Sequence, residues 1–122
     1  MKGGDRLKRQ LVTALKDHLA SPTARVRVPE AGEILWQAFL ELDATRHVGD
    51  AGPAPITFLE IEAWCRLKGV PFQPHHIETL RAMDAALVAH FLEKAKKAVE
   101  ALKRQRRPGR PSMNAALFDK MF

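Results

Sequence analysis

The stretch "ITFLEIEAWCRLKGVPFQPHH", residues 56–76, decides how this chain folds. Thr57 followed by Glu60 is a capping box. The hydroxyl accepts from an orphan backbone N–H at a helix start, and the carboxylate reaches back to the N–H of Thr57. Ile56 and Ile61 occupy the two positions of a hydrophobic staple, which fixes the angle at which the chain enters the helix. Leu59, Ile61, Trp64, Cys65 and Leu67 carry that helix onward to Gly69, a residue suited to the left-handed geometry that closes helices. Pro74 then fits the first turn of a new helix, because its missing N–H would be unpaired there. Two helices joined by a short turn are therefore predicted. Such a hairpin can read DNA, hold a metal or reactive thiol, or serve packing and partner contacts.

Working outward, the residues after Pro74 keep a helical period through Ile77, Leu80, Met83/Asp84, Leu87, Val88, Phe91, Leu92, Ala95 and Val99, with no Gly or Pro before Pro108. The end of this long helix, "EKAKKAVEALKRQRR", is mostly basic and is expected to project past the core. Upstream, residues 30–43 predict a helix whose buried face is Ile34, Leu35, Ala38, Phe39 and Leu42, with Trp36 at its flank. "ATRHVGDAGPAP" (44–55) has two Gly and two Pro and reads as an irregular loop, functional or mobile. Leu7, Leu11, Leu15 and Leu19 recur every four residues and predict an amphipathic helix over about 5–19. Pro22 and Pro29 bracket an extended linker after it. The last residues, "MNAALFDKMF", are apolar enough for a short docking segment. The expected fold is all-α: a small bundle of about four helices, with a long C-terminal helix and basic, partly mobile termini. The expected division is a basic N-terminal helix and linker (1–28), a helical core (29–93), and a basic helix extension with tail (94–122).

Bulk properties narrow the function. The 122 residues, 46% apolar and 28% charged, have the composition of one ordinary globular domain. The net charge of +6 is unevenly spread. Residues 1–28 carry seven Lys/Arg and two acids, residues 29–93 four and ten, and residues 94–122 nine and two. Any contact with a polyanion thus falls to the arms, since the centre is acidic. One cysteine excludes an internal disulfide, no apolar run approaches the roughly 20 residues of a membrane helix, and "MKGGDRLKRQ" lacks the apolar core of a signal peptide. A soluble cytoplasmic protein is expected.

Catalytic and cofactor chemistry finds no support. His18, His47 and His90 are scattered, and the adjacent His75 and His76 are expected to point about 100° apart on a helix. With Cys65 they match no standard zinc spacing, and "HVGDAGPAP" fits no phosphate loop. No enzyme activity, metal or cofactor is expected. DNA reading is a weaker alternative, because "PHHIETLRAMD" offers few base-reading side chains at the start of its helix and Glu60 and Glu62 would face phosphates. "RRPGRPS" shares Gly-Arg-Pro with minor-groove AT-hooks but has Pro before the Gly where that motif has Arg. Arg104, Arg106, Arg107 and Arg110 remain candidates for nonspecific polyanion contact.

The residues Pro55, Ile56, Thr57, Phe58, Glu60, Ile61, Ala63, Trp64, Leu67 and Gly69, continued by Pro74, Leu80, Arg81, Met83, Asp84 and Ala86, form a spaced pattern. With "PEAGEILWQAFLELDATR" before it, this pattern resembles the small tail assembly chaperones of long-tailed bacteriophages and prophages, over about residues 29–92. Two departures stand out: Pro74-His75-His76 where relatives often have Pro-Trp-Glu, and Leu87 where they often have an aromatic. The resemblance implies a non-enzymatic protein of the bacterial host cytoplasm that coats the tape measure protein and recruits tail tube subunits. Trp36, Phe39, Trp64, Leu67, Phe72, His75 and His76 are the candidate protein-binding residues. Self-association is compatible with the same surface. A DNA-binding regulator and a structural virion protein are the alternatives.

Overall fold

The computed structural model describes residues 2–105, with side chains from residue 5 onward. The chain divides after Phe91 into two units, and every core residue lies in the first. In chain order the elements are α1 (Lys2–Ala20), a 3-10 turn (Glu30–Gly32), α2 (Glu33–Ala44), β1 (Val48–Gly49), β2 (Gly52–Pro53), α3 (Phe58–Lys68) and α4 (Pro74–Gln105). Among the described residues the fold is all-α, four helices with a long last one and a small two-stranded ribbon between α2 and α3. Among the described residues no helix is long and apolar enough to cross a membrane.

The leucine stripe of α1 enters the core: Leu11 and Leu15 are buried, with Leu7, Val12 and Leu19 packed against the cluster. Gly32 explains how the chain approaches α1 so closely. A Cβ there would lie 2.8 Å from Cδ2 of Leu11, a wholly buried side chain that would have to shift. The stretch 30–43 begins as a 3-10 turn and becomes α-helical at Glu33.

On α2 the buried residues are Leu35, Ala38, Phe39 and Leu42, the i, i+3, i+4, i+7 arc of one helix face. Ile34, expected on that face, is instead 43% exposed, because it precedes the arc by one residue and so points about 100° away from Leu35. α3 adds Ile61 and Trp64 to the core, and α4 adds Leu80, Met83 and Leu87. The staple is present as expected, with Ile56 and Ile61 both buried.

The segment 44–55 is not an irregular loop. β1 and β2 pair antiparallel, Val48 opposite Pro53 and Gly49 opposite Gly52, and the Ala54 N–H donates to the His47 carbonyl at 2.8 Å. An ion pair that is easily overlooked in the sequence fixes this ribbon. The Arg46 guanidinium donates through Nη1 to the Ala54 carbonyl (2.8 Å) and through Nε to the Asp43 carboxylate (2.8 Å). Its Nη2 lies 2.6 Å from Oδ1 of Asp84, on α4. The other Asp84 oxygen, Oδ2, accepts the Ile56 N–H at 2.9 Å. Both side chains are almost fully buried, at 3% and 7% exposure. Neither the Arg46 Nη2 nor the Asp84 Oδ1 makes a well-aligned hydrogen bond, so the charge attraction between them is the compensation each has.

Candidate partner-binding surface

The start of α3 is built as its sequence dictates. Thr57 Oγ1 accepts the Glu60 N–H at 3.2 Å, and Oε1 of Glu60 accepts the Thr57 N–H at 3.4 Å. At the other end Gly69 adopts φ 69°, the left-handed geometry that glycine tolerates without a Cβ clash, and the Val70 N–H closes back onto the Cys65 carbonyl at 3.0 Å. These two ends fix where α3 starts and stops, and burial of Ile61 and Trp64 sets which residues face out.

The turn after Gly69 delivers Phe72 onto Trp64. Their rings stack at 5.4 Å and 13°, and Phe72 in turn meets the His76 ring at 5.3 Å. His76 is also the cap of α4: its Nδ1 accepts the Gln73 N–H at 3.0 Å, the part played by an acid in a capping box. His75 and His76, expected to diverge, instead bring their rings to 4.0 Å, at a 47° tilt. An imidazole that accepts from a backbone N–H is neutral at that nitrogen. Accordingly burial, and then the neighbouring His75, push the His76 pKa below its ordinary value.

The far edge of the Trp64 indole is held by α2. Its Nε1–H donates to Oε1 of Glu41 at 3.3 Å, and the same oxygen meets the Lys68 ammonium at 2.8 Å. Gln37 donates to the second Glu41 oxygen at 2.9 Å. The Lys68 bond first, then that of Gln37, holds the Glu41 carboxyl below the usual carboxylate range. Trp64, Phe72, His76 and His75 thus form a fixed aromatic ladder across the α3–α4 turn.

Outside the ladder α3 shows a separate apolar stripe. Leu59 is 76% exposed and Leu67 86% exposed, with half-buried Ala63 between them at i+4 spacing. Leu67 is also three residues on from Trp64, so the stripe and the ladder adjoin on the helix surface. Phe58, exposed as well, carries the Arg81 guanidinium over its ring at 4.2 Å.

The candidate residues therefore separate into groups. Phe72, His75 and His76 lie together in the ladder over the mostly buried Trp64, while Leu67 is exposed on the neighbouring α3 stripe. Phe39 is wholly buried and is corrected to a core residue: its position in the centre of the α2 arc leaves no surface for a partner. Trp36 is half-buried and meets His18 of α1 edge-on at 6.1 Å, so its aromatic contact lies in a different cluster. Arg104 is exposed, while Arg106, Arg107, Arg110 and the apolar segment 113–122 lie outside the described residues. Cys65 is half-buried against the core, and among the described residues no group of His, Cys, Asp and Glu could hold a metal.

Leu59, Phe58, Glu41 and Lys68 were not singled out as site residues from sequence. A signal for the first two existed, since α3 has apolar residues on all sides and one core can bury only one face. Glu41 and Lys68 gave none, being charged residues on two different helices.

Comparison with known proteins addresses the first unit. No curated protein and no solved structure matches the chain significantly. A family model described as phage tail assembly chaperone matches residues 17–89, from the last turn of α1 into α4. That span contains the capped α3, the Arg46–Asp84 pair and the aromatic ladder, and the chain belongs to the phage tail assembly chaperone family.

Proposed function

We propose that this chaperone binds the tape measure protein and helps recruit tail tube subunits, acting in the host cytoplasm without catalysis. The supporting observation is the exposure of Leu67 and Leu59 on a helix capped at both ends, next to an aromatic ladder anchored by Glu41. Such a surface suits an apolar stripe of a helical client laid across α3, a helix-in-groove contact. Phe72, His75 and His76 extend it across the turn, and Trp64 supplies a rigid floor. Where relatives have Trp and Glu after the proline, His75 and His76 give this chain a contact chemistry of its own. Arg104, Arg106, Arg107 and Arg110 add weaker, salt-dependent attraction to acidic stretches of the client.

Co-expression of tagged chain with the tape measure protein tests this. Co-purification is expected at about 150 mM salt, where exposed ion pairs are already screened. Its absence at both low and moderate salt overturns the proposal. Specific retention on duplex DNA at the same salt would overturn it in favour of a DNA-binding regulator. Recovery of the chain in mature particles would instead favour a structural virion role.

A further inference from the structure

α4 continues beyond the first unit as a helix whose residues 92–105 are all exposed. Their apolar members are not scattered. Leu92, Ala95, Val99 and Leu102 follow 3-4-3 spacing, the seam of a coiled coil, and the three large ones are 57%, 50% and 56% exposed. On a helical wheel Lys96 and Lys103 border this seam on one side, while Glu93 and Glu100 lie farther round. Ala98 borders the other side. The charge that touches the seam is therefore basic alone, although this segment also contains acids.

We infer that residues 92–105 are a docking strip for an amphipathic partner helix whose seam-flanking positions are acidic. This goes beyond the surface around Leu67 and Phe72, and the two do not share a residue. Charge decides the occupant. A second copy docked antiparallel would set Lys96 and Lys103 against the same lysines, and docked parallel it would leave Lys103 opposite Ala98 with no partner. The chain's own residues 106–122 carry four Lys/Arg and one acid, so they repel the strip rather than complement it. Glutamates flanking the seam of a partner helix would pair with Lys96 and Lys103, and the leucines of that helix would cover Leu92, Val99 and Leu102.

The test uses two designed helical peptides of about three heptads, identical in their Leu seam, one with Glu and one with Lys at the flanking positions. Binding to the full chain is measured by fluorescence anisotropy at about 50 mM and about 500 mM salt. The Glu peptide is expected to bind at least about tenfold more tightly at low salt, with the difference shrinking at high salt. K96E/K103E is expected to reverse the preference. L92Q/V99Q is expected to abolish binding while leaving the thermal midpoint unchanged, since neither residue belongs to the core. Equal affinity for both peptides, no binding of the Glu peptide, or retention by L92Q/V99Q would each overturn the inference. So would a micromolar dimer that L92Q/V99Q dissolves, which would make a second copy the occupant. Co-purification of the tape measure protein with L92Q/V99Q is compatible with every one of these outcomes, so the two proposals fail separately.

Discussion

Arg46 and Asp84 stand 38 positions apart in sequence and meet at 2.6 Å inside the protein. Between them they satisfy two backbone groups on the segment that leaves the β-ribbon: Arg46 takes the Ala54 carbonyl and Asp84 takes the Ile56 N–H. Removing Arg46 leaves the Asp84 carboxylate buried without its cation and the Ala54 carbonyl unpaired; removing Asp84 leaves the Ile56 N–H unpaired and Arg46 with Asp43 alone. R46A or D84A is therefore expected to cost about 3–5 kcal/mol, read as a lower urea midpoint. The paired replacement R46M/D84L should recover a large part of that loss, because two apolar side chains leave no buried charge. If the double variant is no better than the worse single one, the pair is not the origin of the effect.

Gly32 is expected to resist substitution for lack of space, unlike Gly52 and Gly69, which do so through positive φ. In G32A the new methyl group would enter the space of Leu11, which is wholly buried, and overpacking of this kind costs about 1–3 kcal/mol. A combined G32A/L11A variant tests the cause by thermal unfolding. The two losses should fall short of additive, since a smaller residue 11 accommodates the methyl group.

His76 ties the stability of the α3–α4 turn to pH. Its pKa is lower in the folded chain than in the unfolded one, where a histidine titrates near about 6.5. Above that pH the ring is neutral in both states and the cap is intact. As the pH falls from the unfolded pKa through the folded one, the unfolded chain binds the proton first, so stability is lost with acid. The loss should be about 0.5–1 kcal/mol, the lower part of the range for helix caps, because the ring is half exposed. H76E keeps an acceptor for the Gln73 N–H at the same position. It should flatten the profile between pH 7 and 5, as followed by chemical denaturation at each pH.

The helices were legible in the sequence wherever a local rule governs them. Thr57 with Glu60, Ile56 with Ile61, Gly69 and Pro74 each act over a few residues, and each is found in its expected role. What was not legible depends on partners far apart in the chain. Arg46 sits in a Gly/Pro-rich segment and looks like a solvated loop residue until Asp84 arrives from α4. Asp84 itself was the one warning, an acid at a core position of an apolar helical face. The binding surface was read only in part for a related reason: composition marks aromatic residues as anchors, but not which side of each helix the core takes. Phe39 and Leu67 are both large apolar helix residues, and only the packed arrangement sends one fully inward and the other 86% outward.

That contrast yields the most direct separation of fold from function. F39A removes a wholly buried ring and should cost about 3–5 kcal/mol, lowering co-purification with any client only through loss of folded protein. L67E changes a side chain that is 86% exposed and should leave stability within about 0.5 kcal/mol. If the α3 stripe meets the tape measure protein, L67E alone should reduce co-purification about tenfold or more, as expected when a charge replaces an interface anchor. L59E, at the other end of the stripe, should act in the same direction with a similar melting midpoint. Full co-purification by L67E and L59E, at wild-type stability, would exclude this stripe as the client surface and redirect attention to the His75–His76 side of the ladder.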